Sequence, residues 1–159
     1  MKVLTNKQFI STSLKQTEFL AYHLAKLLGG GDVITLEGDL GTGKTAFTKG
    51  LAKALGIEEP VTSPTFTIIK EYEASIPLYH IDAYRLEFSD EDIGLDEYIN
   101  KNGITVIEWA QFIEQYLPEE LLNIKIDYID ETSRSFTFTA KGKYYEDIIT
   151  RLFKEVNMT

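Results

Sequence analysis

One eight-residue segment dominates the chemistry this chain can offer. Gly38-Asp39-Leu40-Gly41-Thr42-Gly43-Lys44-Thr45 fills every position of G-x-x-x-x-G-K-[ST]. Glycines let the backbone wrap so that successive N–H groups face an anion, and a helix starting behind them adds its N-terminal partial positive charge. Lys44 then reaches the β- and γ-phosphates of a nucleotide, and the Thr45 hydroxyl holds Mg²⁺. A chance match in 159 residues has odds of about one in two hundred. The segment is a phosphate-binding loop, which fixes a ligand class but not a function.

Three further segments carry groups that nucleotide chemistry uses. Val61-Thr62-Ser63-Pro64-Thr65-Phe66 follows the loop's helix, where many NTPases sense the γ-phosphate. Pro64 biases Ser63 toward extended backbone, which leaves hydroxyls to face metal or phosphate; an ordinary proline turn is the plain alternative. His80-Ile81-Asp82-Ala83-Tyr84-Arg85 follows an apolar run. Asp82 there is a magnesium carboxylate or a water-positioning acid and Arg85 supplies charge in cis; the plain alternative is a surface hairpin end with His80 a packed histidine. Ile104-Thr105-Val106-Ile107-Glu108-Trp109 is apolar and then acidic, the form of a Walker B strand with Glu where Asp is usual. A carboxylate ending a buried strand is costly unless a metal or a base pairs with it. Trp109 packs beside the site. Asp82 and Glu108 compete for the metal, and spacing alone does not rank them.

These residues need a scaffold. Ser13 and Gln16 form a capping-box pattern opening a helix with Leu14, Leu20, Ala21, Leu24, Leu27 and Leu28 on one side, stopped by Gly29-Gly30-Gly31. Val33–Glu37 reads as a strand ending at the phosphate loop, and 44–55 as the helix leaving it. Strand-like runs at 66–72 and 76–82 form a hairpin, and Ser89–Asp92 is an acidic helix start leading to Leu95, Tyr98 and Ile99. Then come a buried strand at 104–108, a helix at 109–116, strands at 122–129 and 135–140, and a helix at 143–156. The early alternation implies a P-loop NTPase-like α/β fold with a central, mostly parallel sheet and helices on both faces; the later hairpins imply added antiparallel strands.

Composition bounds the rest. The length suits a single domain spanning 1–159. The absence of cysteine excludes disulfides, thiolate zinc sites, iron–sulfur clusters and cysteine nucleophiles. No run of about 18 apolar residues exists and the first residues lack a signal-peptide core, so a cytoplasmic protein with no membrane partner is expected. Sixteen basic residues stand against 25 acidic, for a net charge of −9. Residues 1–80 carry eight lysines and eight acids, and residues 81–159 carry eight bases and 17 acids. A free-standing nucleic-acid binder would show a basic footprint, so RNA contact is expected only through another protein.

Taken together, GDLGTGKT (38–45), SPTFTI (63–68), YHIDAYR (79–85) and IEW (107–109) resemble the TsaE family (older names YjeE and YdiB) in order and spacing. The loop alone is generic; the other three segments make the likeness specific, and it runs over nearly the whole chain. The resemblance implies a slow ATPase of the tRNA threonylcarbamoyladenosine pathway. ATP would sit on Asp39, Leu40, Gly41, Thr42, Gly43, Lys44 and Thr45, with Thr45 and Glu108 around Mg²⁺. Lys44, Asp82 and Glu108 would serve catalysis, Asp82 in hydrolysis or the coupled conformational change. Adenine contacts would come from Thr12 and Arg134. The implied partners are the proteins TsaD and TsaB, with tRNA reached through that complex and no small-molecule acceptor.

Other readings fit less well. A P-loop small-molecule kinase usually clamps the moving phosphate with several arginines from a lid, and only Arg85, Arg134 and Arg151 exist here. A GTPase needs N-K-x-D, whereas residues 100–103 read Asn-Lys-Asn-Gly. A nucleotide clamp that never hydrolyses has little need of two strand-end acids.

Overall fold

The computed structural model describes residues 5–39, 42–61, 69–84, 94–99 and 102–157. Among them a seven-stranded sheet runs in the order β1-β7-β6-β2-β5-β4-β3. Its strands are β1 (Thr5–Ser11), β2 (Val33–Glu37), β3 (Ile69–Tyr72), β4 (Leu78–Asp82), β5 (Ile104–Glu108), β6 (Leu121–Tyr128) and β7 (Arg134–Lys141). The central four, β6, β2, β5 and β4, pair in parallel. β3 joins one edge antiparallel, and β7 and β1 extend the other. This is the expected α/β architecture, with its antiparallel strands at the margins.

Both faces are covered. Ile34, Leu36, Val106 and Ile124 point into a core shared with α1 (Leu14–Ala25), α2 (Lys44–Ala54) and α4 (Lys143–Asn157). Val33, Ile81 and Ile107 point the other way, against α3 (Leu95–Ile99) and a 3-10 segment, Ala110–Tyr116. Alternation along each strand sends one residue to each core, which is why these strands read as unbroken apolar runs.

Two local arrangements fix the helices that flank the Gly38–Thr45 loop. The Ser13 cap is formed, with the Gln16 N–H donating to Ser13 Oγ at 3.1 Å, while Gln16 Oε1 accepts the Thr12 N–H, one residue before the cap, at 2.7 Å; Leu14, expected on the apolar side of α1, is exposed. Phe47 of α2 is fully buried with its ring 5.4 Å from Phe136 of β7. Burying such a ring contributes about 2–3 kcal/mol and fixes α2 on the sheet.

Two elements differ from expectation. β1 is not signalled by the sequence pattern. The stretch expected as a helix at 109–116 is a 3-10 segment, because Trp109 enters it at φ 59° and Ile113 breaks it at φ −129°. The start of the 66–72 run and the acidic helix start at 89–92 lie outside the described residues.

Candidate functional site

The carboxyl ends of β2, β4 and β5 meet at one edge of the sheet, where open α/β sheets bind ligands. β2 runs into Gly38 and Asp39; Leu40 and Gly41 lie outside the described residues. The loop closes where the Thr42 N–H and hydroxyl both donate to the Asp39 carbonyl, at 3.2 and 2.8 Å. A Cβ on Gly38 would stand 2.7 Å from the Ile126 carbonyl and from Thr42 Oγ1, so no larger residue fits. Gly43 adopts φ 109° and begins α2 with no side-chain cap. The first-turn amides of α2 therefore have no side chain competing for them, as an anion site requires.

Lys44 leaves the loop and turns inward. It is buried, with Nζ 3.7 Å from Glu108 Oε1 and 4.6 Å from the centre of the Trp109 ring. An ammonium held between a carboxylate and an aromatic face is compensated electrostatically despite its burial.

Glu108 is the hub. The β4–β5 register sets Asp82 opposite Glu108 and His80 opposite Val106, two residues back on the same face. Glu108 Oε2 lies 2.5 Å from His80 Nε2, while Oε1 faces Lys44. A carboxylate only accepts, so Nε2 is the donor; Nδ1 is buried with no partner among the described residues. Asp82 is half-buried and accepts the Tyr84 N–H at 3.0 Å. Trp109 sits in the left-handed region, unusual for a bulky residue, and stacks 10° from parallel with Phe112. Thr45 lies on the first turn of α2. Thr45, Asp82 and Glu108 offer hard oxygen donors, the chemistry that suits Mg²⁺ shared with phosphates, and they fit that ion.

A cleft of about 330 Å³ opens beside the loop. It lies between the start of α1 (Thr12, Thr17), the end of the loop (Thr42, Gly43) and the β6–β7 turn (Thr132, Arg134). Thr12 and Arg134 are far apart in sequence; they meet because β1 pairs with β7 in a register that sets Ser11 opposite Arg134. Arg134 is braced: Nε donates to the Thr42 carbonyl at 2.9 Å, Nη1 to the Asp130 and Ser133 carbonyls, and the guanidinium lies over Tyr128. The turn is ordered by Asp130, whose carboxylate accepts the Thr132 and Ser133 N–H groups. Those bonds, the one to Thr132 first, hold its carboxyl below the usual range. A second cleft of similar volume, about 330 Å³, lies on the Lys44 side and includes Asp39, Trp109, Lys125 and Asp127.

The structure thus brings together Thr12, Thr42, Gly43 and Arg134 in one cleft and Asp39 with Lys44 in the other, with Glu108 and Asp82 adjoining. Leu40, Gly41, Arg85 and the 62–68 segment lie outside the described residues. Sequence reasoning did not single out Thr132 and Lys125, which line the two clefts, or the contact of His80 with Glu108. A signal for His80 exists in its spacing of two from Asp82 on a strand, which puts both on one face.

Comparison with known proteins adds an independent line. Residues 11–136 match the family model for "Threonylcarbamoyl adenosine biosynthesis protein TsaE". The tRNA threonylcarbamoyladenosine biosynthesis protein TsaE of Bacillus subtilis is 49% identical over 146 residues, covering 91% of this chain and 92% of that one. The TsaE protein of Treponema pallidum is 39% identical, covering 80% and 96%. A crystal structure of Bacillus subtilis YdiB superposes with a TM-score of 0.85 at 41% identity, covering 98% of this chain and 99% of that one.

Proposed function

The chain belongs to the TsaE family of tRNA threonylcarbamoyladenosine biosynthesis proteins, and from that premise we propose that it binds Mg²⁺ and ATP on the Gly38–Thr45 loop and hydrolyses ATP slowly as an accessory subunit of the modifying complex. The observation that carries this reading is the buried convergence of Lys44 with Glu108, beside Asp82, at the ends of adjacent parallel strands. A lysine that only solubilised the surface would not be buried against a strand-end carboxylate.

Each residue then has a task. Amides of the loop and of α2's first turn receive phosphate oxygens. Lys44 exchanges Glu108 for the β- and γ-phosphates, which frees Glu108 Oε1. Thr45 and Glu108 hold Mg²⁺, which when bound neutralises charge on the phosphates. Asp82, fixed by the Tyr84 N–H, orients the attacking water or serves the coupled conformational change. The nucleoside lies in the cleft between Thr12 and Arg134.

The partners are TsaD and TsaB. A net charge of −9 supports tRNA contact made mainly by them. The test is Mg²⁺-dependent ATP hydrolysis by the purified chain, alone and with TsaD, TsaB and tRNA. Slow turnover that changes when the partners are added is expected. Indifference to the partners, with rapid turnover on a small metabolite, would overturn the reading in favour of a kinase.

A further inference from the structure

We propose that His80 is a positioning residue: it holds one oxygen of Glu108 so that the other is presented to the cation and phosphates. The inference rests on the reading of Glu108 as a Mg²⁺ ligand, and three observations carry it. Glu108 could extend past the end of β5. Instead its Oε2 is bonded to Nε2 of His80, a residue in register with Val106, so the carboxylate folds back along the sheet. This leaves Oε1 alone to face Lys44. His80 is fully buried, and its Nδ1 has no partner among the described residues.

The unpaired nitrogen separates positioning from packing. A buried imidazole with one nitrogen unpaired costs desolvation that an apolar side chain of similar size would not incur. His80 is a poor choice for filling the core on its face of the sheet, and a good one for donating a single hydrogen bond to a carboxylate. A glutamate has several rotatable bonds; fixing one oxygen removes the alternatives in which it points to solvent or chelates Lys44 with both. Residues that orient metal ligands in this way typically alter metal affinity about 10–100-fold when removed.

Two polar substitutions test the role on the full chain. His80→Gln keeps an N–H donor near the place of Nε2, and His80→Asn keeps an amide of similar polarity that stops short of Glu108. The measurement is calorimetric binding of ATP with and without Mg²⁺, together with the Mg²⁺ concentration for half-maximal binding enhancement. The Gln variant should stay near the wild type. The Asn variant should keep its Mg²⁺-free ATP affinity and need about 10–100-fold more Mg²⁺. Equal Mg²⁺ requirements in the two variants, or equal losses of Mg²⁺-free binding, would overturn the positioning role. A wild-type chain whose ATP binding ignores Mg²⁺ would overturn the underlying reading of the site instead, and the inference with it.

Discussion

The central strand β2 has a buried polar cluster at each end, and the two are built on opposite lines. At its amino end Asp32 is buried, and Oδ2 accepts both the Gly29 N–H at 2.7 Å and the Tyr144 hydroxyl at 2.9 Å. The Val33 N–H donates to the Tyr145 hydroxyl at 3.0 Å, and the Thr105 N–H donates to the Asp32 carbonyl at 2.9 Å. At its carboxyl end Lys44 meets one carboxylate at 3.7 Å, His80 has a nitrogen with no partner among the described residues, and Trp109 holds a left-handed backbone. The first cluster ties the helix-to-strand turn and α4 to the sheet. The second keeps charge, hydrogen-bonding capacity and strain in reserve, as sites that do chemistry tend to. Buried polarity alone therefore does not set the two ends apart; among the described residues, the ion pair, the partnerless imidazole nitrogen and the left-handed backbone occur together only at the carboxyl end.

The largest expected effect falls at the carboxyl end. Lys44→Ala should lower Mg²⁺-dependent ATP turnover by about 10²–10³, the usual loss when a charge-stabilising group is removed. Turnover is read per folded molecule, because the variant also leaves the buried Glu108 carboxylate without its cation and should lower the melting temperature. Wild-type turnover in this variant would erase the contrast between the two ends. Asp32→Ala should act on stability alone. It strands the Gly29 N–H and the Tyr144 hydroxyl and should cost about 1–3 kcal/mol in denaturant unfolding, with turnover per folded molecule unchanged.

The two ends differ in legibility because they differ in construction. The Gly38–Thr45 segment is legible in the sequence because the phosphate binding proposed for it demands fixed residue types at fixed spacing. The strand-end acids are legible because an apolar run closing on Glu108 or Asp82 is unusual. β1 is not. Gln8 and Ile10 are exposed and Phe9 is only half-buried, so Thr5–Ser11 shows no clear alternation. It is a strand because its backbone pairs with β7, and that pairing brings Thr12 to Arg134. The 3-10 segment reads as an ordinary helix because its apolar spacing resembles one, while the left-handed turn at Trp109 leaves no trace in composition. His80 reads as packing from sequence, since its bond to Glu108 depends on a register between two strands.

Thr105 sharpens the comparison. Its hydroxyl, on β5, is the other buried polar group without a partner among the described residues, and it lies toward the amino end of the sheet. If incomplete partnering there serves no chemistry, Thr105→Val should hold stability or raise it by up to about 1 kcal/mol, and leave Mg²⁺-dependent ATP binding unchanged. A loss of Mg²⁺-dependent binding would mean that unpaired polarity is functional wherever it occurs in this fold.

The smallest effects are those of pH, and they belong to the amino end. Burial, and then the hydrogen bond to Asp32, pushes the Tyr144 hydroxyl up to about 12; burial pushes Tyr145 up to about 12 as well. Both are raised above the ordinary value near 10. Below about pH 10 the two hydroxyls stay protonated in both the folded and unfolded chain, and their contribution is intact. Between about 10 and 12 the unfolded chain loses these protons while the native chain keeps them, so stability falls as pH rises through that window. Asp32 acts in the acid range with the same sign. Burial raises its carboxyl, so the native state holds a proton that the unfolded chain has already released. Stability therefore falls as pH climbs out of the ordinary carboxylate range. Asp32→Asn retains an oxygen able to accept from Gly29 and Tyr144, so it should flatten the acid slope in denaturant titrations and make the alkaline slope shallower. An unchanged alkaline slope would mean that burial alone, and not the carboxylate, governs Tyr144.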